Sequence, residues 1–377
     1  MKRIALVGIL AVAVGVLATG PANAMTGGTP ARSTDAPWMV GIANVGDKPG
    51  EPYLQRYRCG GVLISPTRVL TAAHCLDYAA LGDVEFHIGG TLLSGDPGKV
   101  VRAKGFSTHP GYRMMHSPVD PNNPQADVAV DDLAIVELAR PVRGVRPLPL
   151  ARKALQPGTP LTVYGHGITA PPTQTTTYSD ALLKAGLQVQ SSSACAAEDK
   201  SGAADDPSVL CARSADPSGP SACPGDSGGP VVAVEYGRPV LAGLVSSGGE
   251  IVGKECVRGT INEFTNIPAL RDFAVQAHPV WAPRLSSAVK LDGTPAVGKT
   301  LTCSVPSWLN PKPSKAIEYD WVHRKTGSDD WYFEIDGAKA STFTLTKAQS
   351  GEDVRCIVFA ENQGGHTEYL SDPVPIH

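Results

Sequence analysis

Short runs of apolar and β-branched residues, each ended by Gly, Pro, Ser or Asp, recur from residue 25 to about residue 281. Residues 61–64, 133–138 and 231–234 are examples of these runs. Runs of this length with turn residues between them are typical of antiparallel sandwiches and barrels and not of βαβ units. One segment, residues 267–277, favours a helix, with Pro268 tolerated in its first turn. We therefore predict an all-β protein.

The first residues have the pattern of an export signal. Lys2 and Arg3 precede an apolar run over residues 4–17, and residues 22–24 read Ala-Asn-Ala. This order is typical of a secretory signal peptide, here residues 1–24. The alternative is a membrane anchor, but the run is shorter than the roughly 20 residues that a spanning helix needs. No later run is long and apolar enough, so we predict a secreted, extracellular protein without a membrane span.

Composition narrows the class of partner. The formal net charge is -3 over 377 residues, and no basic cluster indicates nucleic-acid binding. All eight cysteines follow the predicted signal peptide, and an even number in an exported chain indicates disulfides. Because no Cys-x-x-Cys pair occurs, a zinc site is not indicated, and we predict no metal and no cofactor. The length accommodates two or three domains, and no pattern specifies an oligomeric state.

Three motifs carry the chemistry. Residues 71–75 read Thr-Ala-Ala-His-Cys, residues 132–138 begin Asp-Leu-Ala, and residues 225–230 read Gly-Asp-Ser-Gly-Gly-Pro. A serine hydroxyl is a weak nucleophile unless a base takes its proton, and that base needs a partner to orient it and stabilise its charge. In this order the motifs resemble the trypsin/chymotrypsin family, the reference case for this chemistry. The resemblance covers residues 25–281.

The resemblance implies two antiparallel β-barrels, with the active site between them, and peptide-bond hydrolysis through an acyl-enzyme. His74 would be the general base and acid, Asp132 would orient it, and Ser227 would be the nucleophile. The N–H groups of Gly225 and Ser227 would form the oxyanion hole. Asp127 also resembles the aspartate motif and Asp131 adjoins it, but the residues after Asp132 continue as the family does.

The resemblance also implies covalent and N-terminal links. It pairs six of the cysteines as Cys59 with Cys75, Cys195 with Cys211, and Cys223 with Cys256. In this family a free amino terminus pairs with the aspartate before the nucleophile, here Asp226. The matching start is Met25, directly after the predicted cleavage site, although the family usually has Ile-Val where this chain has Met-Thr. We therefore expect signal removal itself to create the active terminus, without a zymogen stage.

The specificity pocket is expected to be neutral and open. By resemblance Ser221 lies at its base, where trypsin-like enzymes place an aspartate, and Ser246, Gly248 and Gly259 line it. Such a pocket suits a large apolar side chain. The alternative is that a carboxylate of the following loop, from Glu250 or Glu255, reaches the pocket. A second departure is His166, which stands where the family usually has Trp and is interpreted as structural.

A second domain is predicted over residues 288–377, after a linker at 282–287. Cys303, Trp321 and Cys356 have the spacing of a bacterial immunoglobulin-like β-sandwich, in which a disulfide bridges two sheets over a buried Trp. Val354 stands where immunoglobulin domains often have Tyr. A cell-wall, polysaccharide or protein ligand is predicted for this domain, and the aromatic residues 331–333 are a candidate platform for it.

Two other functions are consistent with these patterns. One is a non-catalytic adhesion or binding protein that reuses the protease fold, with the immunoglobulin-like domain as its working part. The other is an esterase that uses the same three residues. The order His, Asp, Ser and the strand pattern do not match the α/β-hydrolase esterases, which share only the short Gly-x-Ser-x-Gly pattern. Protein or peptide substrates are the primary prediction.

Overall fold

The computed structural model describes residues 25–45, 51–77, 84–116, 127–169, 178–198, 201–248, 256–309, 311–328 and 332–377. The predicted signal peptide lies outside these residues, as do Glu250, Glu255 and Trp331. Within the described ranges, no helix combines the length and the apolar character that a membrane crossing requires.

The first domain consists almost entirely of antiparallel strands. In chain order these are β1 (Thr29–Pro30), β2 (Met39–Asn44), β3 (Tyr57–Ser65), β4 (Arg68–Thr71), β5 (Val84–Ile88), β6 (Lys99–Thr108), β7 (Arg113–Met115), β8 (Val128–Val130), β9 (Ala134–Leu138), β10 (Pro160–Gly165), β11 (Leu183–Val189), β12 (Val209–Arg213), β13 (Pro230–Glu235), β14 (Arg238–Gly248) and β15 (Asn262–Asn266). The helices are α1 (Tyr53–Arg56), α2 (Ser192–Glu198) and α3 (Arg271–Ala274), with 3-10 turns at Ala73–Cys75 and Ala203–Asp205.

The first barrel has the strand order β2-β3-β4-β9-β6-β5 and is closed. Closure is completed where β2 pairs with β5, with Val40 opposite Ile88. Phe86, Leu70 and Ile135 are fully buried in its interior. A closed barrel leaves no unpaired strand edge and lets each strand bury one face, which explains why these segments are short and rich in β-branched residues.

The second barrel follows the order β11-β10-β13-β14-β15-β12 and closes through pairing of β11 with β12. Its strand β11 shows the two-residue period of a half-buried strand: Leu183, Ala185, Leu187 and Val189 are buried, and the residues between them are more exposed. Strand β1 adds to the outer edge of β11. The prediction of an all-β fold with two antiparallel barrels is confirmed.

The predicted late helix is shorter than expected. Of residues 267–277, only α3 (Arg271–Ala274) is helical, and the preceding residues form turns. Helix α2 was not predicted, although it carries a start signal. The Oγ of Ser191 accepts a hydrogen bond from the N–H of Ala194 at 3.2 Å, which is the N-cap arrangement that serine favours.

The second domain is built from further antiparallel sheets. Its strands are β16 (Arg284–Leu285), β17 (Lys290–Asp292), β18 (Thr300–Ser304), β19 (Trp308–Leu309), β20 (Glu318–Lys325), β21 (Phe333–Glu334), β22 (Thr342–Thr344), β23 (Glu352–Asn362), β24 (Gly365–Leu370) and β25 (Val374–Pro375), with a 3-10 turn at Lys347–Gln349. One sheet has the order β17-β18-β22 and the other β21-β20-β23-β24, with β25 also on β23. Strands β16 and β19 form a separate pair.

A disulfide between Cys303 and Cys356 joins these two sheets, because it links β18 to β23. Trp321 lies fully buried in the core beside it, and its indole N–H donates to the carbonyl oxygen of Ala340 at 2.8 Å. A buried indole needs such a partner for its N–H group. The core of this domain is therefore organised around one disulfide and one tryptophan.

The two domains meet within a few residues of chain. Ala282 packs in the core of the first domain and donates its N–H to Phe106, whereas Leu285 packs in the core of the second. Strand β16 lies inside the segment 282–287, which the sequence analysis assigned to a linker. Only two residues, Pro283 and Arg284, separate the two packed positions.

Candidate active site

Asp132 and His74 form the centre of the site. The Nδ1 of His74 lies 2.8 Å from Oδ2 of Asp132, and the backbone N–H of His74 donates to Oδ1 at 3.0 Å. The Oγ of Ser246 also donates to Oδ2, at 2.6 Å. Asp132 is buried, so these bonds replace the water that an ionised carboxylate would otherwise require. The carboxylate thus fixes both the ring and the backbone of His74.

The elements that carry these residues explain their meeting. His74 lies in the 3-10 turn that follows β4, and Asp132 lies two residues before the start of β9, which pairs with β4. The hydroxyl of Thr265, on β15 of the second barrel, donates to the carbonyl oxygen of Asp132 at 2.6 Å. A strand of the second barrel therefore binds the backbone of Asp132.

The environment shifts both ionisation equilibria. Burial by itself raises the pKa of Asp132, but the charge and hydrogen bonds of His74 and the hydroxyl of Ser246 bring that pKa below its usual value. Burial also disfavours the charged form of His74, yet the charge of Asp132 and its hydrogen bond raise the pKa of His74 above the usual value. A histidine with this partner is a stronger base than a free imidazole.

Ser227 lies in the loop before β13, beside Gly60 of β3. Its carbonyl oxygen accepts a hydrogen bond from the N–H of Gly60 at 2.6 Å. A Cβ on the next residue, Gly228, would come within 2.3 Å of the hydroxyl of Thr71 and 3.3 Å of the amide nitrogen of Ala72. The glycine therefore lets the serine loop approach the strand that leads into His74. The structure brings His74 and Asp132 into contact and places the loop of Ser227 beside Gly60 and Thr71.

Two backbone amides beside Ser227 are available to a ligand. The N–H of Asp226 donates to Cys223, whereas in the part of the chain that the structure describes the amides of Gly225 and Ser227 have no backbone or side-chain acceptor. Gly225 has φ of 91° and its carbonyl oxygen accepts from the hydroxyl of Tyr57 at 2.9 Å. The glycine is thus held in a left-handed conformation, and its N–H group has no acceptor among the described residues.

Aromatic rings support this loop, and sequence reasoning missed them. A Cβ on Gly225 would lie 2.5 Å from the ring of Tyr178, and the rings of Tyr57 and Tyr178 lie 5.2 Å apart in an edge-on arrangement. His166 packs on Tyr57 and is buried, with Nδ1 3.0 Å from the carbonyl oxygen of Ser179. Burial lowers the pKa of His166 to about 4, so it is neutral at neutral pH. The interpretation of His166 as structural agrees with this packing.

Asp226 is a second buried carboxylate. Its oxygens accept from the N–H groups of Gly167 at 2.8 Å and Cys223 at 2.9 Å. Burial raises its pKa to about 7, which these two bonds oppose. Among the described residues, no cationic side chain contributes to this pKa. A buried carboxylate without a cation is costly to ionise.

The start of the domain lies next to this carboxylate's loop. Met25 is fully buried, with φ of 51°, and Thr26 pairs with Ser221 in an isolated antiparallel bridge. Gly28 donates its N–H to Met25 at 2.8 Å, which closes a turn. The segment around Met25 is therefore inserted into the domain and is not a surface strand.

The four residues expected in the pocket lie in different surroundings. The hydroxyl of Ser221 is buried and lies 3.2 Å from that of Thr260, and Gly248 pairs with Asn262 across β14 and β15. Gly259 instead lies at a turn, where its N–H donates to Gly219 and a Cβ would meet the carbonyl oxygen of Pro217. Ser246 uses its hydroxyl on Asp132.

Asn262 is thus the residue opposite Gly248, and it was not among the predicted pocket residues. Its Oδ1 accepts from the N–H of Ala222 at 2.6 Å, and its Nδ2 donates to Thr260 at 2.9 Å. The side chain is fully buried beside Ser221. In the sequence, Asn262 is marked only by its position at the start of a strand after Cys256. Its position opposite Gly248 follows from the strand register.

The two rival aspartates lie elsewhere. Asp127 lies 2.8 Å from Nδ1 of His116, and Asp131 has φ of 52° with its carboxylate 3.6 Å from Nδ1 of His109. Within the described residues, Asp132 is the candidate that hydrogen-bonds to His74.

Disulfides clamp the site on both sides. Cys59 is joined to Cys75, Cys195 to Cys211, and Cys223 to Cys256. Within the described residues, the one cluster of possible metal donors is Cys59, His74 and Cys75. Because the two sulfurs are bonded to each other, they offer no thiolate to a metal.

The architecture and its residues define a chymotrypsin-like protein. The sequence model of the trypsin family matches residues 25–273. Trypsin of Sarcophaga bullata is 31% identical over 227 residues, covering 57% of this chain and 76% of that protein. Human kallikrein-7 is also 31% identical, over 224 residues, covering 59% of this chain and 75% of that protein.

A solved structure shows the same fold. The chain of mouse neuropsin, described as a serine protease expressed in the limbic system of the brain, superposes with a TM-score of 0.51 at 23% identity, covering 66% of this chain and 96% of that one. Together with the family match, these relatives show that the chain belongs to the trypsin family. It is accordingly a serine-type endopeptidase, a hydrolase.

Proposed function

We propose that the protein is a secreted endopeptidase in which Ser227, His74 and Asp132 cleave peptide bonds through an acyl-enzyme. The observation that carries this proposal is the double hydrogen bond from His74 to the buried carboxylate of Asp132. Ser227 Oγ attacks the carbonyl carbon while His74 takes its proton and then passes it to the leaving amine. Water then attacks the ester formed on Ser227 with His74 again as the base. This step releases the carboxylic acid product and restores the serine.

The oxyanion that develops in each step would bind to the N–H groups of Gly225 and Ser227. Both amides lack a protein acceptor within the described residues, and the hydroxyl of Tyr57 orients the Gly225 carbonyl. Amides held in place before the reaction stabilise the developing charge without a reorganisation cost. Tyr57 acts here as a positioning residue.

The N-terminal pair in this proposal is the free amino group of Met25 with Asp226. It is supported by the burial of Met25, by the pairing of Thr26 with Ser221 and by a buried carboxylate that no described cation accompanies. Removal of residues 1–24 during export would create the ammonium group. Ionised Asp226 would then have a partner, and the adjoining loop of Gly225 and Ser227 would be held in its working conformation.

The specificity pocket of this proposal is neutral. Ser221, Thr260 and Asn262 supply two hydroxyls and an amide, and no carboxylate of the described residues contacts them. The buried Asn262 side chain takes up space that a glycine would leave open. We therefore expect uncharged residues before the cleaved bond, with leucine and methionine ahead of tryptophan, a narrower preference than the open pocket predicted from sequence.

The second domain is assigned in this proposal to the immunoglobulin-like sandwiches. The Cys303–Cys356 bridge between two sheets and the buried Trp321 support this assignment. Within β23, Val354, Cys356, Val358 and Ala360 are buried in alternation, as one sheet of a sandwich requires. A ligand for this domain in a cell wall, polysaccharide or protein remains a prediction.

The test is cleavage-site mapping. Protein beginning at Met25 is incubated with a denatured protein mixture, beside a matched Ser227→Ala control, and new termini are identified by mass spectrometry. Cuts that require Ser227 and follow uncharged residues are expected. Absence of cuts from folded, disulfide-intact protein, together with no labelling by a serine-directed fluorophosphonate, would favour the binding-protein alternative. Ester cleavage without peptide cleavage would favour the esterase.

A further inference from the structure

A turn of the second domain packs directly on the first barrel. This turn, residues 362–365, joins β23 to β24, and its Gly364 carbonyl oxygen accepts from the N–H of Thr108 at 2.9 Å. A Cβ on Gly364 would lie 2.2 Å from the carbonyl oxygen of Val280, so only glycine fits this contact. Asn362 is buried and its Nδ2 donates to Trp281 at 3.1 Å. The turn of the second domain therefore packs closely against the first domain.

The contact lies one strand away from the candidate catalytic residues. Thr108, at the end of β6, pairs with Ala134 of β9, and Ala134 pairs on its other side with Thr71 of β4. Asp132 precedes Ala134 by two positions, and His74 follows Thr71 by three. The second domain thus reaches the edge of the barrel from which both residues project.

Charged residues that follow the turn influence groups next to His74. Burial raises the pKa of Asp77, and the hydrogen bond from Tyr112 and the interaction with His366 oppose this shift. Asp77 follows His74 by three positions. Glu368 is buried and lies 3.7 Å from His366. Its charge acts on Arg58, the neighbour of Cys59, whose disulfide partner is Cys75.

Arg58 connects this surface to the oxyanion side of the site. Tyr178, whose ring covers Gly225, and Glu368 both interact electrostatically with Arg58. Burial lowers the pKa of Arg58, and these two groups oppose the shift. Arg58 adjoins Tyr57 on β3, and the hydroxyl of Tyr57 donates to the carbonyl oxygen of Gly225.

We propose that the β23–β24 hairpin is a wall of the substrate cleft, and that it contacts an extended polypeptide substrate beyond the residue held in the Ser221 pocket. This inference rests on the proposed function. The hairpin packs on the first barrel, whereas the proposed pocket lies in the second barrel beside the Cys223–Cys256 disulfide. We therefore expect a substrate that occupies only the pocket not to contact the hairpin.

The charges indicate the chemistry of the substrate segment. Asp77, Arg58 and His366 are partly exposed on this surface, and a polar or charged peptide segment can pair with them. Binding energy from parts of a substrate remote from the cleaved bond accelerates its cleavage. The occupant is thus a polypeptide passing between Arg58 and the hairpin, and not a polysaccharide bound to the second domain alone.

The experiment compares two substrates in full-length mature protein. Gly364→Ala should displace the hairpin, and Lys347→Ala, at an exposed position of the second domain outside the hairpin, is the control. We expect Gly364→Ala to lower kcat/KM for a ten-residue peptide by about tenfold or more, and to leave that for a short chromogenic substrate with the same pocket residue within about twofold. Lys347→Ala should change neither.

Several outcomes overturn the inference. Unchanged cleavage of the long peptide would mean that the hairpin does not touch substrate, and an equal loss on both substrates would mean that it acts on the barrel instead. If the unsubstituted enzyme cleaves neither substrate, the proposed function itself fails.

A second measurement does not depend on displacing the hairpin. In the Ser227→Ala protein, the long peptide should slow hydrogen exchange in residues 362–370, and the short substrate should not. Protection confined to the Ser221 region with both ligands would overturn the proposal. Protection of the hairpin by a soluble cell-wall polysaccharide, but not by the long peptide, would assign the surface to a carbohydrate partner and overturn it equally.

Discussion

The carboxylate of Asp132 holds His74 at two points, with Oδ1 on the backbone N–H at 3.0 Å and Oδ2 on the ring Nδ1 at 2.8 Å. An asparagine would keep the shape but could present an N–H where the ring needs an acceptor, and the ring would adopt the wrong tautomer. We expect Asp132→Asn to lower kcat by about 10⁴-fold, as in the triad of chymotrypsin-like enzymes. Peptide hydrolysis is the measurement, and Asp127→Asn is the control expected to retain activity.

The same pair predicts the acid limb of the pH profile. His74 must be neutral to accept the serine proton, and Asp132 raises the pKa of His74 above its usual value. The kcat/KM value should therefore rise with pH through an apparent pKa above about 6.5. In Asp132→Asn the burial of His74 remains while the carboxylate charge is lost, so the residual activity should titrate at lower pH. An unmoved acid limb would contradict the assignment of that limb to His74.

The N-terminal pair predicts that the position of the terminus controls activity. A protein with one extra residue before Met25 should be much less active than one that begins at Met25, because its ammonium group is displaced from Asp226. Asp226→Asn should lose activity in the protein that begins at Met25. Active-site titration with a fluorophosphonate measures both. Full activity of the extended protein would refute the direct creation of the active terminus by signal removal.

Asp226 also predicts a pH dependence of stability for the extended protein. Its pKa is about 7 in the folded chain against 3.8 for an ordinary aspartate, so between these values the folded chain retains a proton that the unfolded chain releases. The free energy of unfolding should therefore fall as pH rises from about 4 to about 7. Urea unfolding of Ser227→Ala protein at several pH values measures this fall. It should be absent in Asp226→Asn and smaller when Met25 is the first residue.

The register of Gly248 with Asn262 predicts a change of specificity. Asn262→Gly removes a buried side chain beside Ser221, so the pocket should accept larger residues. We expect the ratio of kcat/KM for phenylalanine or tryptophan substrates over leucine substrates to rise by roughly tenfold, the scale of one or two methylene groups in a pocket. Gly259→Ala is the contrast, because Gly259 packs against Pro217 and should affect stability instead of this ratio. Unchanged ratios in Asn262→Gly would exclude Asn262 from the pocket.

Local sequence patterns predicted the strands of the first domain better than its contact with the second domain. The short β-type runs predicted antiparallel sandwiches or barrels, since strand alternation and turn residues are local properties, and the family resemblance implied two barrels. The same runs did not predict α2, whose N-cap at Ser191 stands in a serine-rich stretch without clear helical periodicity. The segment 267–277 was predicted as one helix, but only α3 forms, because the preceding residues use their backbone groups in turns around Asn266.

What the sequence determined by itself is the reaction class. His74, Asp132 and Ser227 are recognisable because each stands in a motif whose neighbours serve the same local geometry, and the order of the motifs belongs to one family. The tertiary structure decided which residues meet across distances in sequence. Ser246 reaches Asp132, Asn262 faces Gly248, and Gly364 of the second domain packs beside Thr108. These contacts depend on strand register and on the docking of two domains, which are set by packing between segments far apart in the chain and leave no local signature.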